Sequence, residues 1–189
     1  RETDKTWEFP SGGTHWFRYL DREDDVLSLH GQAFTHVYWD ELTQWASPFA
    51  FDYMRSRVRT IDPDIRPYLS IRATTNPGSI GHDWVKRVFV DPAPPNTPFP
   101  ATSLETGEIL TWPKGHVKHG DPLFWRRFIP GKLSDNPYLY EDGQYESSLL
   151  SLPEVQRKQL LEGDWDVASG AAFPEFTRTH HTIAPFDIP

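Results

Sequence analysis

Cysteine is absent from this chain, which removes disulfide bridges, thiolate nucleophiles and cysteine-ligated zinc from consideration. That absence fits a cytosolic protein and is compatible with any compartment. Long apolar runs are missing too. None approaches the roughly 18 residues that a membrane-spanning helix needs. Arg1-Glu2-Thr3-Asp4-Lys5 leads into no apolar signal-peptide core, so no membrane partner is expected. No phosphate loop of the G-x-x-x-x-G-K-[S/T] type occurs. Neither G-x-S-x-G nor H-E-x-x-H is present, so serine-hydrolase and zincin chemistry have no support. An excess of positive charge is also lacking. The 19 Lys and Arg face 27 Asp and Glu, for a formal net charge of -8. This counts against tight DNA binding by this chain alone.

What is present describes a folded chain. Its 189 residues suit one domain, or one domain and part of another. Hydrophobic residues make up 37% and charged residues 24%, a globular rather than a disordered balance. Eighteen prolines and a mean hydropathy of -0.61 point to many surface loops. The segment from Asp91 to Pro100 holds five of those prolines and reads as an extended loop.

Two β-branched and aromatic runs carry the chemistry. Phe34-Thr35-His36-Val37-Tyr38-Trp39 ends in Asp40-Glu41, and its bulk predicts a strand buried on both faces. Tyr68-Leu69-Ser70-Ile71-Arg72-Ala73 ends in Thr74-Thr75-Asn76-Pro77. Ligands in open α/β sheets collect at the C-terminal ends of strands. Between the runs, Leu42 to Arg59 reads as helical in two pieces around Pro48, with Arg55, Arg57 and Arg59 facing water or a partner. Thr14–Leu20 reads as an earlier strand after Gly12-Gly13, and a helix is expected from about His82 to Val90. Glu108–Trp112 and Phe124–Ile129 are candidate strands. Tyr138–Leu150 and Pro153–Leu161 are candidate helices, the second ended by Gly163. Phe173 to Pro189 reads as a linker.

Each candidate residue has a chemical and a structural reading. In an ATPase, Asp40 would hold Mg²⁺ through water and Glu41 would polarise the attacking water. Equally, Asp40 could cap a helix while Glu41 favours the positive end of its dipole. Thr74, Thr75 and Asn76 could sense a phosphate or orient water, or simply form an Asn-Pro turn. Gly78-Ser79-Ile80-Gly81-His82-Asp83 reads as a helix start, since it lacks the Lys-Ser/Thr of a phosphate loop. His116, His119 and Asp121 are a weak candidate metal cluster, and His180-His181 an exposed tail. The basic clusters Arg55-Arg57-Arg59, Lys86-Arg87 and Arg126-Arg127 could each touch phosphate or form a solvated face. Nothing in them singles out a DNA-binding residue or an arginine acting on a neighbouring subunit.

Four segments in order resemble the large terminase subunit of tailed bacteriophages. Phe34 through Thr43 looks like its Walker B segment, and Arg72 through Lys86 looks like its coupling motif with the helix that follows. Leu133 through Leu139 is similar to the stretch after the ATPase core. Leu152 through Arg157 and on to Trp165 completes a likeness covering about residues 12 to 176. The resemblance implies an α/β fold, a partial P-loop (ASCE-type) ATPase core with a mainly parallel sheet, plus a small lid subdomain. Residues 1-123 would belong to the core, 124-166 to the lid and hinge, and 167-189 to a linker towards an RNase H-like nuclease domain. It implies a viral DNA-packaging motor that uses ATP and Mg²⁺ to translocate double-stranded DNA into a procapsid. The motor would work in the host cytoplasm as a homo-oligomeric ring at the portal protein, with the small terminase subunit. Asp40 would then hold Mg²⁺, Glu41 would activate water, and Thr74, Thr75 and Asn76 would couple hydrolysis to movement.

The family's phosphate loop and nuclease carboxylates do not occur within these residues, so the chain is expected to be a middle piece of such a protein. Two rivals stand beside it. One is a non-catalytic interaction module or inactive prophage remnant, docking on a protein through its acidic surface and exposed tryptophans. The other is a metal-dependent nuclease, which needs carboxylates from several strands where only one acidic pair can be placed. One expectation is direct. The 189-residue chain by itself turns over no ATP above background, because nothing in it replaces a phosphate loop's amides and lysine. A steady-state phosphate-release assay that found magnesium-dependent turnover, lost in Glu41→Gln, would contradict it.

Overall fold

A computed structural model describes residues 5–103, 106–167 and 183. The linker expected from residue 167 onward, including His180-His181, falls outside the described residues apart from Val167 and Ile183. Among the described residues the fold mixes short helices with three two-stranded sheets. Among the described residues no helix is long and apolar enough to cross a membrane. By its contacts the chain divides into two units that interleave in sequence. One comprises Arg1–Tyr38 and Pro48–Arg72, the other Trp39–Ser47 and Ala73–Pro189.

The first unit opens with a hairpin. β1 (Thr6–Glu8) pairs antiparallel with β2 (Thr14–Trp16), placing Trp7 opposite His15. Gly12, at φ 83°, makes the turn, and the Phe9 N–H donates to the Gly13 carbonyl at 2.9 Å. A 3₁₀ segment, Glu23–Leu29, then presents Val26 and Leu29 to helix α1 (Phe49–Arg55). Ala50, Phe51 and Met54 lie on one helical face and meet them, forming this unit's core. Of the expected Leu42–Arg59 helix, the structure forms a 3₁₀ turn, Leu42–Gln44, before Pro48 and α1 after it, and Val58 lies in a β-bridge instead.

β3 (His36–Trp39) and β4 (Ser70–Ala73) are neighbours. The Ser70 N–H donates to the Thr35 carbonyl at 3.3 Å, and the Thr74 N–H to the Trp39 carbonyl at 2.9 Å. Both chains advance four residues between these bonds, so the strands run parallel. Phe34 adds a parallel bridge to Val58 on the other edge of β3. The expected burial of this strand on both faces is not what forms. Tyr38 is 57% exposed while Trp39 is buried. The Tyr38 ring stacks with His36 at 6.3 Å and meets His15 at 6.1 Å. A mainly parallel sheet is not observed either, since both other described sheets are antiparallel. The β3–β4 connection, which carries α1, is long enough for the crossover that parallel pairing needs.

In the second unit, α2 (His82–Val85) runs on into a π-helical turn, Lys86–Val90, so the expected 82–90 helix forms with a widened last turn. Leu42, Trp84, Val85 and Val88 are buried here. β5 (Phe99–Pro100) pairs antiparallel with β6 (Trp125–Arg126), and the Arg126 guanidinium lies 5.4 Å from both the Phe89 and Phe124 ring centres. Expected strand 108–112 contributes only isolated bridges at Ile109 and Thr111. The expected helix 138–150 is two, α3 (Pro137–Asp142) and α4 (Gln144–Leu150), because Gly143 sits between them at φ 66°. α5 (Glu154–Arg157) continues through Lys158–Glu162 and ends at Gly163, φ 65°.

The chain after Gly163 returns to α2. Trp165 is buried, stacks on His82 at 5.3 Å and meets Phe128 edge-on at 6.1 Å. Lys86 binds Asp91 and, at 3.1 Å, Asp166. Burial disfavours the Lys86 ammonium, but hydrogen bonds and charge from the two aspartates outweigh it, and its pKa is raised. A raised lysine pKa stabilises the fold fully below the unfolded value of about 10.4, and the contribution disappears as pH rises through the folded value. Lys86→Met is therefore expected to cost about 1–3 kcal/mol at pH 8. Urea unfolding of both proteins from pH 8 to 11 should show that difference shrinking; a constant difference contradicts it.

Candidate functional site at the end of β3 and β4

All five sequence-selected residues lie in the second unit, where β3 and β4 end. Thr74 is the direct link. Its hydroxyl donates to Asp40 Oδ1 at 2.7 Å. Its carbonyl accepts from the Leu42 N–H at 3.0 Å. Parallel register brings residue 74 beside residue 40, so an acidic strand end and a hydroxyl strand end face one another.

Glu41 is exposed and left-handed, at φ 52° and ψ 56°. A non-glycine residue rarely adopts this conformation, and it stores about 1–3 kcal/mol. Its effect is to turn the chain sharply from β3 into the Leu42–Gln44 turn. The carboxylate makes no hydrogen bond or ion pair among the described residues. The helix-cap reading of the acidic pair is not observed. Glu41 occupies the cap position without a side-chain cap bond, and Asp40 accepts from Thr74 instead.

Thr75 and Asn76 are organised through Thr43, a residue that sequence reasoning passed over. Thr43 is 1% exposed. Its N–H donates to Thr75 Oγ1 at 2.9 Å, and the two hydroxyls lie 2.7 Å apart. Its own hydroxyl donates to the Asn76 carbonyl at 2.9 Å. The Thr43 carbonyl accepts from the Gly81 N–H at 2.7 Å. The one available signal was a lone hydroxyl between Leu42 and Trp45, two residues past the acidic pair.

The glycines that follow serve packing. A Cβ on Gly81 would overlap the Trp45 carbonyl, and one on Gly78 would overlap the Gln159 side chain. The Gly78 N–H donates to His82 Nδ1 at 3.0 Å, and the Trp84 indole N–H to the Trp45 carbonyl at 2.7 Å. Segment 78–83 is thus a helix start pressed against the Leu42–Trp45 turn.

The other candidates do not join this site. His116 Nδ1 accepts from the Lys118 N–H at 3.1 Å while its ring stacks on Trp112 at 4.1 Å. His119 Nδ1 lies 3.2 Å from the Trp112 carbonyl. Among the described residues no three of His, Asp and Glu gather as metal ligands. Of the basic clusters, Arg55 pairs with Asp52 at 3.2 Å, Arg57 lies over the Tyr53 ring at 5.3 Å, and Lys86 and Arg126 are engaged as described.

Chemically, the edge offers an exposed Asp40 with one oxygen oriented by Thr74 and an exposed Glu41 aimed by backbone geometry. A single carboxylate fits Mg²⁺, which keeps several waters and takes its other ligands from phosphates. The left-handed turn yields a fold prediction. Glu41→Gly changes stability by less than about 1 kcal/mol, whereas the β-branched Glu41→Val costs about 1–3 kcal/mol. Equal urea midpoints for the two variants would contradict that conformation.

No protein-family model matches this chain, and neither a curated protein nor a solved structure matches it.

Proposed function

We propose that this chain belongs to the ATP-hydrolysing motor subunit of a viral DNA-packaging terminase, and that the end of β3 and β4 is its hydrolysis and coupling edge. The observation that carries the reading is the 2.7 Å hydrogen bond from Thr74 to Asp40, which joins the Walker B-like and coupling-like segments. Both segments, and the two that follow them, occur in the order found in that family.

On this reading Asp40 would hold Mg²⁺ through water, and the ion would supply charge neutralisation at the phosphates of ATP. Thr74 fixes the Asp40 carboxylate by donating to Oδ1. Glu41, unpaired and exposed, accepts the proton of the attacking water. Thr75 and Asn76, tied to Thr43, carry the change at Asp40 and Thr74 into the chain that leads to α2. Double-stranded DNA, the portal protein, the small subunit and a ring of copies are the partners this reading brings with it.

A second reading rests on the hairpin of the first unit. Trp7 and Phe17 are 63% and 55% exposed, and His15 stacks on Phe17 at 4.7 Å. Exposed aromatic patches mark interaction surfaces, which favours a non-catalytic docking module as the alternative.

The full gene product separates the two. With Mg²⁺ and double-stranded DNA it is expected to hydrolyse ATP, and Glu41→Gln is expected to lower kcat by about 10²- to 10⁴-fold. Absence of turnover in the wild type overturns the motor reading in favour of the docking module. Turnover unchanged by Glu41→Gln removes Glu41 as the base.

A further inference from the structure

The group that connects this edge internally is neither carboxylate. We infer that Thr43 is a positioning residue whose buried hydroxyl sets Thr75 and Asn76 relative to Asp40, so that the coupling segment moves only when this hydroxyl's bonds rearrange. The inference deepens the motor reading and rests on it.

Three observations support it. First, Thr43 is 1% exposed and uses its N–H, hydroxyl and carbonyl on three separate partners, Thr75, Asn76 and Gly81. Those partners span Thr75 to Gly81 of the coupling-like segment. Second, the hydroxyl protons balance in more than one way. With Thr43 donating to the Asn76 carbonyl, Thr75 donates to Thr43 Oγ1. Thr75 also lies 3.3 Å from the Asn76 carbonyl and can donate there, with Thr43 then donating to Thr75. Each arrangement uses both protons, and the 2.7 Å O···O distance serves either direction. Third, the Thr43 N–H holds Thr75 Oγ1 at 2.9 Å whichever way the proton points. Thr75 can therefore redirect its proton outward, to a group at the exposed edge, by giving up one hydrogen bond while its oxygen stays in place.

A merely structural threonine would add to stability without a preference between binding and turnover. A positioning threonine affects turnover through its hydroxyl. Thr43→Val keeps the shape and the N–H but removes the hydroxyl, and Thr43→Ser keeps the hydroxyl. In the full gene product, with ATP, Mg²⁺ and double-stranded DNA, Thr43→Val is expected to lower kcat by about 10- to 100-fold with KM for ATP within about twofold. Thr43→Ser is expected to restore kcat to within about threefold of wild type. Thr75→Val provides the check should Thr43→Val fail to fold. It removes the other hydroxyl and is expected to lower kcat similarly, and the double variant, where it folds, is no worse than the worse single one. Kinetics in which Thr43→Ser is as slow as the valine variant, or in which Thr43→Val keeps at least half of wild-type kcat, overturn the inference and leave the motor reading standing. So does full activity in Thr75→Val. A wild-type protein without turnover overturns both.

Discussion

The parallel register of β3 and β4 is the constraint on which the candidate site depends. The Ser70-to-Thr35 and Thr74-to-Trp39 hydrogen bonds set that register, and it alone brings Thr74 to Asp40. A slip of one residue would turn every side chain of one strand to the other face. Trp39 would then trade its buried place for that of Tyr38, and the Thr74 hydroxyl would lose its acceptor. Packing of Trp39 therefore fixes the geometry of a carboxylate one residue further along.

A second constraint is steric. Past Asp40 the chain turns through a left-handed Glu41 and folds back so closely that only glycine fits at position 81. The close approach lets the Thr43 carbonyl accept from Gly81 while the Thr43 hydroxyl reaches Asn76. Close packing accounts for the glycines of this segment, against the Trp45 carbonyl at Gly81 and the Gln159 side chain at Gly78.

Parts of this arrangement were legible in the sequence. The Phe34–Trp39 run read as a strand from its β-branched and aromatic residues, and His36–Trp39 forms one. Helix α1 and the stop at Gly163 were equally readable, from periodicity and from a glycine after a helical turn. Other features depend on tertiary partners. Bulk alone could not tell that Tyr38 stacks with histidines in the open instead of meeting a covering layer. Nor could propensity tell that 108–112 lacks a long ladder partner, or that Gly143 splits a helix rather than riding within it. Thr43 was hidden for a different reason. A threonine is informative only when buried, and burial belongs to the fold. The return of residues 39–47 to the later part of the chain is likewise a matter of contacts, not composition.

The left-handed Glu41 and the crowded Gly81 place two different demands on a lineage carrying this sequence. Gly81 is held by packing, so any copy that still folds keeps it, whether or not the protein retains a task. Glu41 sits in a conformation that glycine also adopts, and its carboxylate makes no hydrogen bond or ion pair among the described residues, so on the motor reading it is the chemistry that would preserve the carboxylate. On the motor reading, drift at position 41 against constancy at position 81 would mark a copy retired from hydrolysis, readable from its gene without purifying the protein.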